Sequence, residues 1–222
     1  MPRTGALPHH ATPQRDVPPT YASPFASELM GFVISYPPDA EIYGEEEQAE
    51  YFYKVVNGSV RTYKTLKNGR RQIAAFYVPG DVFGLETRGE HTLSADAVAE
   101  SSLLLINRSA LVALAEQDKD AAGRLWTLTA AELRRTQDHI QLFALPARER
   151  VAGFLVEMAQ RLAANDEVEL PMARQDIADY LGLTVETVSR SFTQLERLDA
   201  ITVRTSRRIL LRNYFALVRL SA

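Results

Sequence analysis

The chain has no cysteine. That single absence removes disulfides, thiolate metal sites, cysteine-held iron–sulfur clusters and thiol redox chemistry together. Histidine is scarce too: of four, His9 and His10 stand near the N-terminus, which leaves His91 and His139. Two histidines in separate elements cannot assemble the multi-ligand metal centre of a cupin-type enzyme. No nucleophile–base motif appears either, so neither an enzyme nor a bound metal or cofactor is expected. No apolar run approaches the ~20 residues that span a bilayer, and the N-terminus lacks the apolar core of a secretory signal. A cytoplasmic chain with no membrane partner is expected. There is also no excess of positive charge. The net charge is −3 over 222 residues, so composition alone does not point to nucleic acid.

What is present is unevenly distributed. Residues 1–145 carry 14 basic and 18 acidic side chains, whereas residues 146–222 carry 11 and 10. All of the basic residues in the second part are arginines, whose planar fork suits phosphates and guanine edges better than the point charge of lysine. Six of the eleven prolines fall in residues 1–24, which read as a flexible tail. From about Ser35 to Asn107 the chain turns to short β-rich runs: YFYKVV before Asn57-Gly58, SVRTYKTL before Asn68-Gly69, RQIAAFYV before Pro79-Gly80-Asp81, and SLLLI. Asn-Gly between such runs signals a hairpin, because both residues tolerate positive φ. A small antiparallel barrel or roll over residues 25–108 is expected.

Residues 109–145 switch to helical spacing. Trp126, Ala130, Leu133, Gln137, Ile140 and Ala144 recur at alternating intervals of four and three residues. That is a heptad seam suited to pairing with a second helix, with Gln137 as a polar register marker. The competing possibility is that this face packs on the chain's own roll. Leu145-Pro146 then stops the helix, and Pro146 suits the first turn of a new one. The last unit is set at residues 146–222.

Within it, RQDIADYLGL ends on Gly182, a residue able to close a helix in the left-handed conformation. Thr184 is a good N-cap for the next helix. Two short helices with a glycine-containing turn make a helix-turn-helix candidate. At ~100° per residue Val185, Val188, Phe192 and Leu195 share one face of the second helix, and Glu186, Arg190, Thr193 and Arg197 lie opposite, with Ser189 at the border. An arginine can pair with guanine O6 and N7, and a glutamate can accept from cytosine N4. Glu186, Ser189 and Arg190 are therefore the candidate base contacts. Arg174, Thr184, Thr187, Thr193 and Arg197 are candidate phosphate or flank contacts. The segment AITVRTSRRILLRN reads as a hairpin with Thr205-Ser206 at its tip, a wing that adds Arg204, Arg207 and Arg208, with Arg212 beyond. Phosphate contacts of this kind position a protein without specifying sequence. An isolated Glu–Arg pair four residues apart is more often a solvated ion pair; the turn glycine and the basic wing shift the balance to double-stranded DNA.

Taken together, "V..G.V..Y", "PGD.FG", a long helix and "R.DIADYLGLT.ETVSR" resemble the CRP–FNR superfamily of bacterial transcription factors over about residues 35–222. The "ETVSR" form, Glu186 to Arg190, resembles its FNR/FixK branch. The resemblance implies an α+β architecture: an N-terminal cyclic-nucleotide-binding-like β-roll, a long dimerisation helix and a C-terminal winged helix-turn-helix. It implies a homodimer, most naturally an activator, reading a TTGA–N6–TCAA palindrome. Glu186 and Arg190 would address the G·C pair and Ser189 the outer T·A step. It further implies an RNA polymerase contact in the loop after "PGD", here Phe83, Gly84, Leu85, Glu86, Thr87, Arg88, Gly89 and Glu90. The departures narrow the mode of control. The cysteine-held oxygen sensor of FNR cannot form. The arginine-next-to-serine phosphate cradle of the cyclic-AMP pocket is missing from FGLETRGEHTLSADAVAE. Ala173 stands where some FixK-type proteins carry a reactive thiol. Regulation without a small-molecule effector, in low-oxygen gene programmes, is the expectation; the alternative is gating by a cyclic nucleotide or by haem.

Overall fold

A computed structural model describes residues 31–86, 89–162, 164 and 166–221. The proline-rich N-terminal segment with His9 and His10 lies outside the described residues. Eight strands build the first unit: β1 (Phe32–Tyr36), β2 (Glu41–Tyr43), β3 (Tyr51–Asn57), β4 (Val60–Thr65), β5 (Arg71–Tyr77), β6 (Val82–Phe83), β7 (Ser94–Ala97) and β8 (Ser101–Asn107). They form two antiparallel sheets ordered β1-β8-β3-β6 and β2-β7-β4-β5. The sequence reading found β3, β4, β5 and β8 but not the shorter or more polar β1, β2, β6 and β7.

The unbroken apolar run of β8 has a simple cause. Successive side chains of a strand point to opposite faces. Leu103 and Leu105 enter the interior of the roll with Tyr53, Val55 and Phe83. Leu104 and Ile106 face the other way, onto Phe52 and Leu111. Both faces are covered, so the run does not alternate.

The two Asn-Gly signals divide. Asn68-Gly69 does close the β4–β5 hairpin, with Gly69 at φ 78° and its N–H donating to Leu66 O at 2.8 Å. Asn57-Gly58 is not a hairpin turn, because β3 and β4 belong to different sheets. Gly58, at φ 83°, turns a corner from one sheet to the other. A Cβ there would stand 2.3 Å from Glu100 O and 2.4 Å from Ser101 Oγ. Glycine is demanded by close packing as well as by backbone angle.

The single helical span expected over 109–145 is two helices, α1 (Arg108–Gln117) and α2 (Lys119–Leu142). Asp118 breaks them with extended backbone, and its carboxylate caps α2 by accepting from Asp120 N at 2.8 Å. Ala121, Leu125 and Leu128 of α2 pack on the roll. Farther along the same side, Glu132 accepts from the Tyr77 hydroxyl at 2.9 Å. The heptad face is turned about 140° away at ~100° per residue. Trp126 is 75% exposed, Leu133 59% and Ile140 63%, and Ala130 and Gln137 are exposed with them. The roll therefore does not cover this face. Ala144 falls outside the helical repeat: α2 ends at Leu142 and Ala144 lies in the turn that follows.

Pro146 then opens α3 (Ala147–Arg161) as its N-cap. Strand β9 (Glu167–Glu169), helices α4 (Arg174–Leu181) and α5 (Val185–Arg197), strands β10 (Ile201–Val203) and β11 (Arg208–Leu211), and α6 (Tyr214–Leu220) complete the chain. The wing is a three-stranded sheet ordered β10-β11-β9, so β9 adds a strand that the sequence reading missed. The core of this unit holds Val151, Phe154, Leu155, Met158, Ile177, Leu181, Val188, Phe192 and Leu195. The same cluster takes in Ile73 and Phe76 of β5, so the roll and the winged unit share one core. A register shift between Thr62 and Tyr63 leaves Ala74 unpaired, which brings Ile73 and Phe76 to a common side.

Gly182 closes α4 at φ 64°, ψ 35°, and a Cβ there would meet the Phe143 ring at 2.8 Å. Gly182→Ala is expected to destabilise the chain by about 1–3 kcal/mol through left-handed strain and steric clash. A urea titration of the variant against the parent measures it, and an unchanged midpoint would refute it.

Candidate nucleic-acid interface

The geometry of α5 follows from one asymmetry. Val188, Ser191, Phe192 and Leu195 are buried, and the residues of the opposite side are exposed. Ser191 belongs to the buried face because its hydroxyl is satisfied within the helix, donating to Thr187 O at 2.9 Å. Thr184 caps the helix, its Oγ1 accepting from Thr187 N at 3.3 Å. Glu186, Ser189, Arg190, Thr193 and Arg197 are all exposed, as is Thr184, while Thr187 is half-buried. Arg190 Nη2 donates to Thr187 Oγ1 at 3.2 Å and not to Glu186. The Glu–Arg hydrogen-bonded pair is thus not formed, and both side chains are exposed. Backbone amide and Thr184 hydrogen bonds, with Arg190 nearby, hold the Glu186 carboxyl below its usual range. It is an acceptor-only carboxylate at neutral pH. Ser189 and Thr193 hydroxyls bond to backbone carbonyls one turn back, at 2.8 and 3.2 Å.

Around this stripe the flanking candidates differ in character. Arg174, at the start of α4, lays its guanidinium 3.2 Å from the centre of the Phe192 ring. Burial pushes its pKa down to about 10, against the opposing charge of Glu196. Arg174 therefore clamps the anchor of α5 from the side. The wing tip is held by Thr205, whose Oγ1 accepts from the N–H groups of Arg207 and Arg208 at 3.2 and 3.0 Å. Arg204, Arg207 and Arg208 are exposed on it. Arg208 also reaches Glu169 of β9 at 3.4 Å.

The stretch suggested for a polymerase contact needs correction at two positions. Phe83 and Gly84 are buried. β6 pairs with β3, and the Phe83 ring stacks on Tyr53 and Tyr77 with centroids 5.1 and 4.8 Å apart. Neither residue can present a surface. Leu85 and Glu86 are half-buried, Gly89 and Glu90 are exposed, and Thr87 and Arg88 lie outside the described residues.

Inside the roll is a cavity of about 270 Å³ lined by Tyr43, Thr62, Tyr77, Glu86, Thr92 and Glu132 among others. Its described lining includes two carboxylates and no arginine or lysine. Burial pushes the Tyr43 and Tyr77 hydroxyls up, and Glu86 and Glu132 respectively add to it. Burial alone would raise Glu86, but His91, 3.3 Å away, and Arg108 bring its carboxyl below the usual range. His91 is buried and stacked on Tyr43 at 3.5 Å. His139 is stacked on Tyr180 at 3.8 Å and hydrogen-bonded to Tyr180 O at 2.9 Å. Each histidine is engaged in local packing. Among the described residues, no group of three or more His, Asp or Glu side chains could hold a metal ion. Among the described residues, no helix is long and apolar enough to cross a membrane.

Sequence reasoning missed the polar contacts between the two units. Arg61 meets Asp176 across 115 residues of chain, and Gln72 Nε2 donates to Asp179 O at 2.7 Å. Arg61 had no distinguishing signal, since an arginine in a β-rich run reads as one more solvent-facing residue.

Comparison with known proteins agrees with this geometry. Residues 149–220 match the Crp-like helix-turn-helix domain, and residues 33–118 match the cyclic nucleotide-binding domain. The chain is 46% identical over 199 residues to the nitrogen fixation regulation protein FixK of Azorhizobium caulinodans, covering 87% of this chain and 80% of that protein. It is 38% identical over 178 residues to FixK of Rhizobium meliloti, covering 80% and 81%. The structure of FixK2 from Bradyrhizobium japonicum superposes with a TM-score of 0.83 at 50% identity, covering 86% of this chain and 98% of that one. With its roll, its winged helix-turn-helix and its outward-facing Glu186–Arg190 helix, the chain belongs to the FixK-like regulators of the CRP–FNR superfamily, DNA-binding regulators of transcription.

Proposed function

We propose that this regulator binds a TTGA–N6–TCAA-type palindrome as a homodimer, without a small-molecule effector, as an activator in low-oxygen gene control. The observation that carries the proposal is the exposed stripe of Glu186, Ser189 and Arg190 on a helix whose opposite face is buried. Arg190 donates to guanine O6 and N7, Glu186 accepts from the paired cytosine N4, and Ser189 meets the outer T·A step. Arg174, Thr184, Thr187, Thr193, Arg197, Arg204, Arg207 and Arg208 serve as phosphate or flank contacts, which set register and orientation.

The exposed Trp126–Ile140 face supports pairing with a second copy. Parallel pairing of the α2 helices would deliver two reading helices to successive major grooves ~34 Å apart. The described lining of the roll cavity supports effector-free action, because it holds no arginine or lysine for an anionic nucleotide, and two cations nearby are engaged with its carboxylates, Arg135 with Glu132 at 2.6 Å and Arg108 with Glu86 at 3.9 Å. Among the described residues of the loop suggested for RNA polymerase, Gly89 and Glu90 are exposed.

Arg190→Ala is expected to weaken binding to the palindrome by about 1–3 kcal/mol and to relax discrimination at the guanine position. A mismatch series in which the variant keeps the parent's preference there would count against the assignment. Leu133→Glu is expected to split the dimer by placing charge on the seam. Sedimentation equilibrium checks it, and a variant that still sediments as a dimer removes the seam from the interface.

A further inference from the structure

The reading helix is attached to the rest of the chain by more than its polypeptide link. The covalent joint between α2 and α3 is short, residues 143–146. A single joint of that kind holds two bodies together without setting the angle between them. A further connection is made where α4 meets β4 and β5 through charge. Asp176, in the first turn of α4, is 5% exposed, and Arg61 of β4 is 6% exposed. Asp176 Oδ1 accepts from Arg61 Nη1 at 3.0 Å and also from Arg71 Nη2, while its Oδ2 accepts from Ala173 N at 3.2 Å. Arg61 is itself gripped from behind. Its Nη2 donates to Asp96 Oδ2 and to Asp39 Oδ1, both at 3.0 Å, and Arg61 and Asp96 stand opposite each other in the β4–β7 ladder. One turn on, Gln72 Nε2 donates to Asp179 O at 2.7 Å.

From these contacts we infer that Asp176, held by Arg61 and Arg71, is a positioning residue for DNA recognition. It sets the angle of the winged unit against the roll, and thereby the separation at which the two reading helices of a dimer meet one duplex. The inference rests on the palindromic, dimeric reading proposed above. Beside these ion pairs, Ile73 and Phe76 supply apolar contact to the same junction, but burial of that kind is non-directional and would tolerate a tilt. Two arginines of the roll converge on Asp176 Oδ1, and Ala173 N holds Oδ2 from the start of its own helix, so the charge-assisted bonds fix direction as well as distance. The tilt passes to α5 because α4 and α5 share buried side chains and the turn between them is pinned by Gly182 against Phe143. The roll is tied to the seam helix as well, since Asp81, just beyond β5, meets Arg135 of α2 at 3.4 Å; the same carboxylate meets Arg161 of α3 at 2.7 Å, a further ion pair across the junction beside that of Asp176. The angle is thus defined relative to the helix that carries the seam.

The test uses the full chain with Asp176→Asn. Asparagine keeps an oxygen for Ala173 N, and Arg61 keeps Asp39 and Asp96, so the variant retains its local partners. Binding is measured to the N6 palindrome and to palindromes with the spacer one base pair shorter and one longer. The parent is expected to prefer N6. The variant is expected to bind N6 about tenfold more weakly, a usual size for coupling between two parts of one molecule. It is expected to lose most of the preference among spacers, while discrimination at the guanine position stays as in the parent. A variant that retains the parent's spacer preference, or weakens equally on all spacers, overturns the inference, since equal weakening is what general loosening of the unit produces. Arg71→Gln removes one arm from a half-exposed position and is expected to flatten the spacer preference in the same direction. It decides the matter if Asp176→Asn does not fold. A parent chain that shows no preference for the palindrome would instead defeat the proposed function.

Discussion

The burial of Val188, Phe192 and Leu195 is the constraint from which the rest of the molecule follows. A helix anchored along one side must present the other, and what this one presents is a carboxylate, a hydroxyl and a guanidinium within one turn. The anchor requires partners, which Ile177 and Leu181 of α4 and Phe154 and Leu155 of α3 provide. It requires a sharp entry, which Gly182 and the Thr184 cap provide. Arg174 braces the Phe192 ring from outside, so the anchor is covered on its flank by a cation that stands at the edge of the proposed DNA-facing surface.

The same core extends beyond the winged unit. Ile73 and Phe76 of the roll lie among its side chains, and Tyr180 of α4 is packed between Phe76, Phe154 and His139. The relation between roll and reading helix is therefore built from interior contacts. The proposed effector independence requires that these contacts hold the reading geometry by themselves. A ligand-gated relative must obtain part of its active geometry from differential binding of the ligand. Here buried aromatic contacts and ion pairs already connect the two units.

The parts visible in the sequence were those whose cause is local. Gly182 after an amphipathic octet, Thr184 before the next helix, the arginine-rich hairpin and the heptad face of α2 each follow from spacing alone, and the structure has the corresponding elements. The obscure parts depend on partners far away. Asn57-Gly58 has the composition of a hairpin, yet its strands pair with others, so the glycine turns a corner against residues 100–101. Phe83 sits in a loop-like stretch, but two residues of pairing with β3 are enough to draw it into the roll. Ala144 continues the heptad arithmetic after the helix has ended. Arg61 and Asp176 look like ordinary surface charges until the fold brings them together. Periodicity reports which way a residue faces relative to its own element; it does not report what stands opposite.

The measurement that bears most directly on this account is calorimetric titration of the dialysed full chain with the TTGA–N6–TCAA duplex, and with a scrambled duplex of equal length, at one fixed salt concentration and with no ligand added. The account predicts two chains per palindrome with a dissociation constant in the range ~10⁻⁸–10⁻¹¹ M, and at least ~10³-fold weaker binding to the scrambled duplex. Equal affinity for both duplexes, or selectivity that emerges only after a small molecule is supplied, would contradict it.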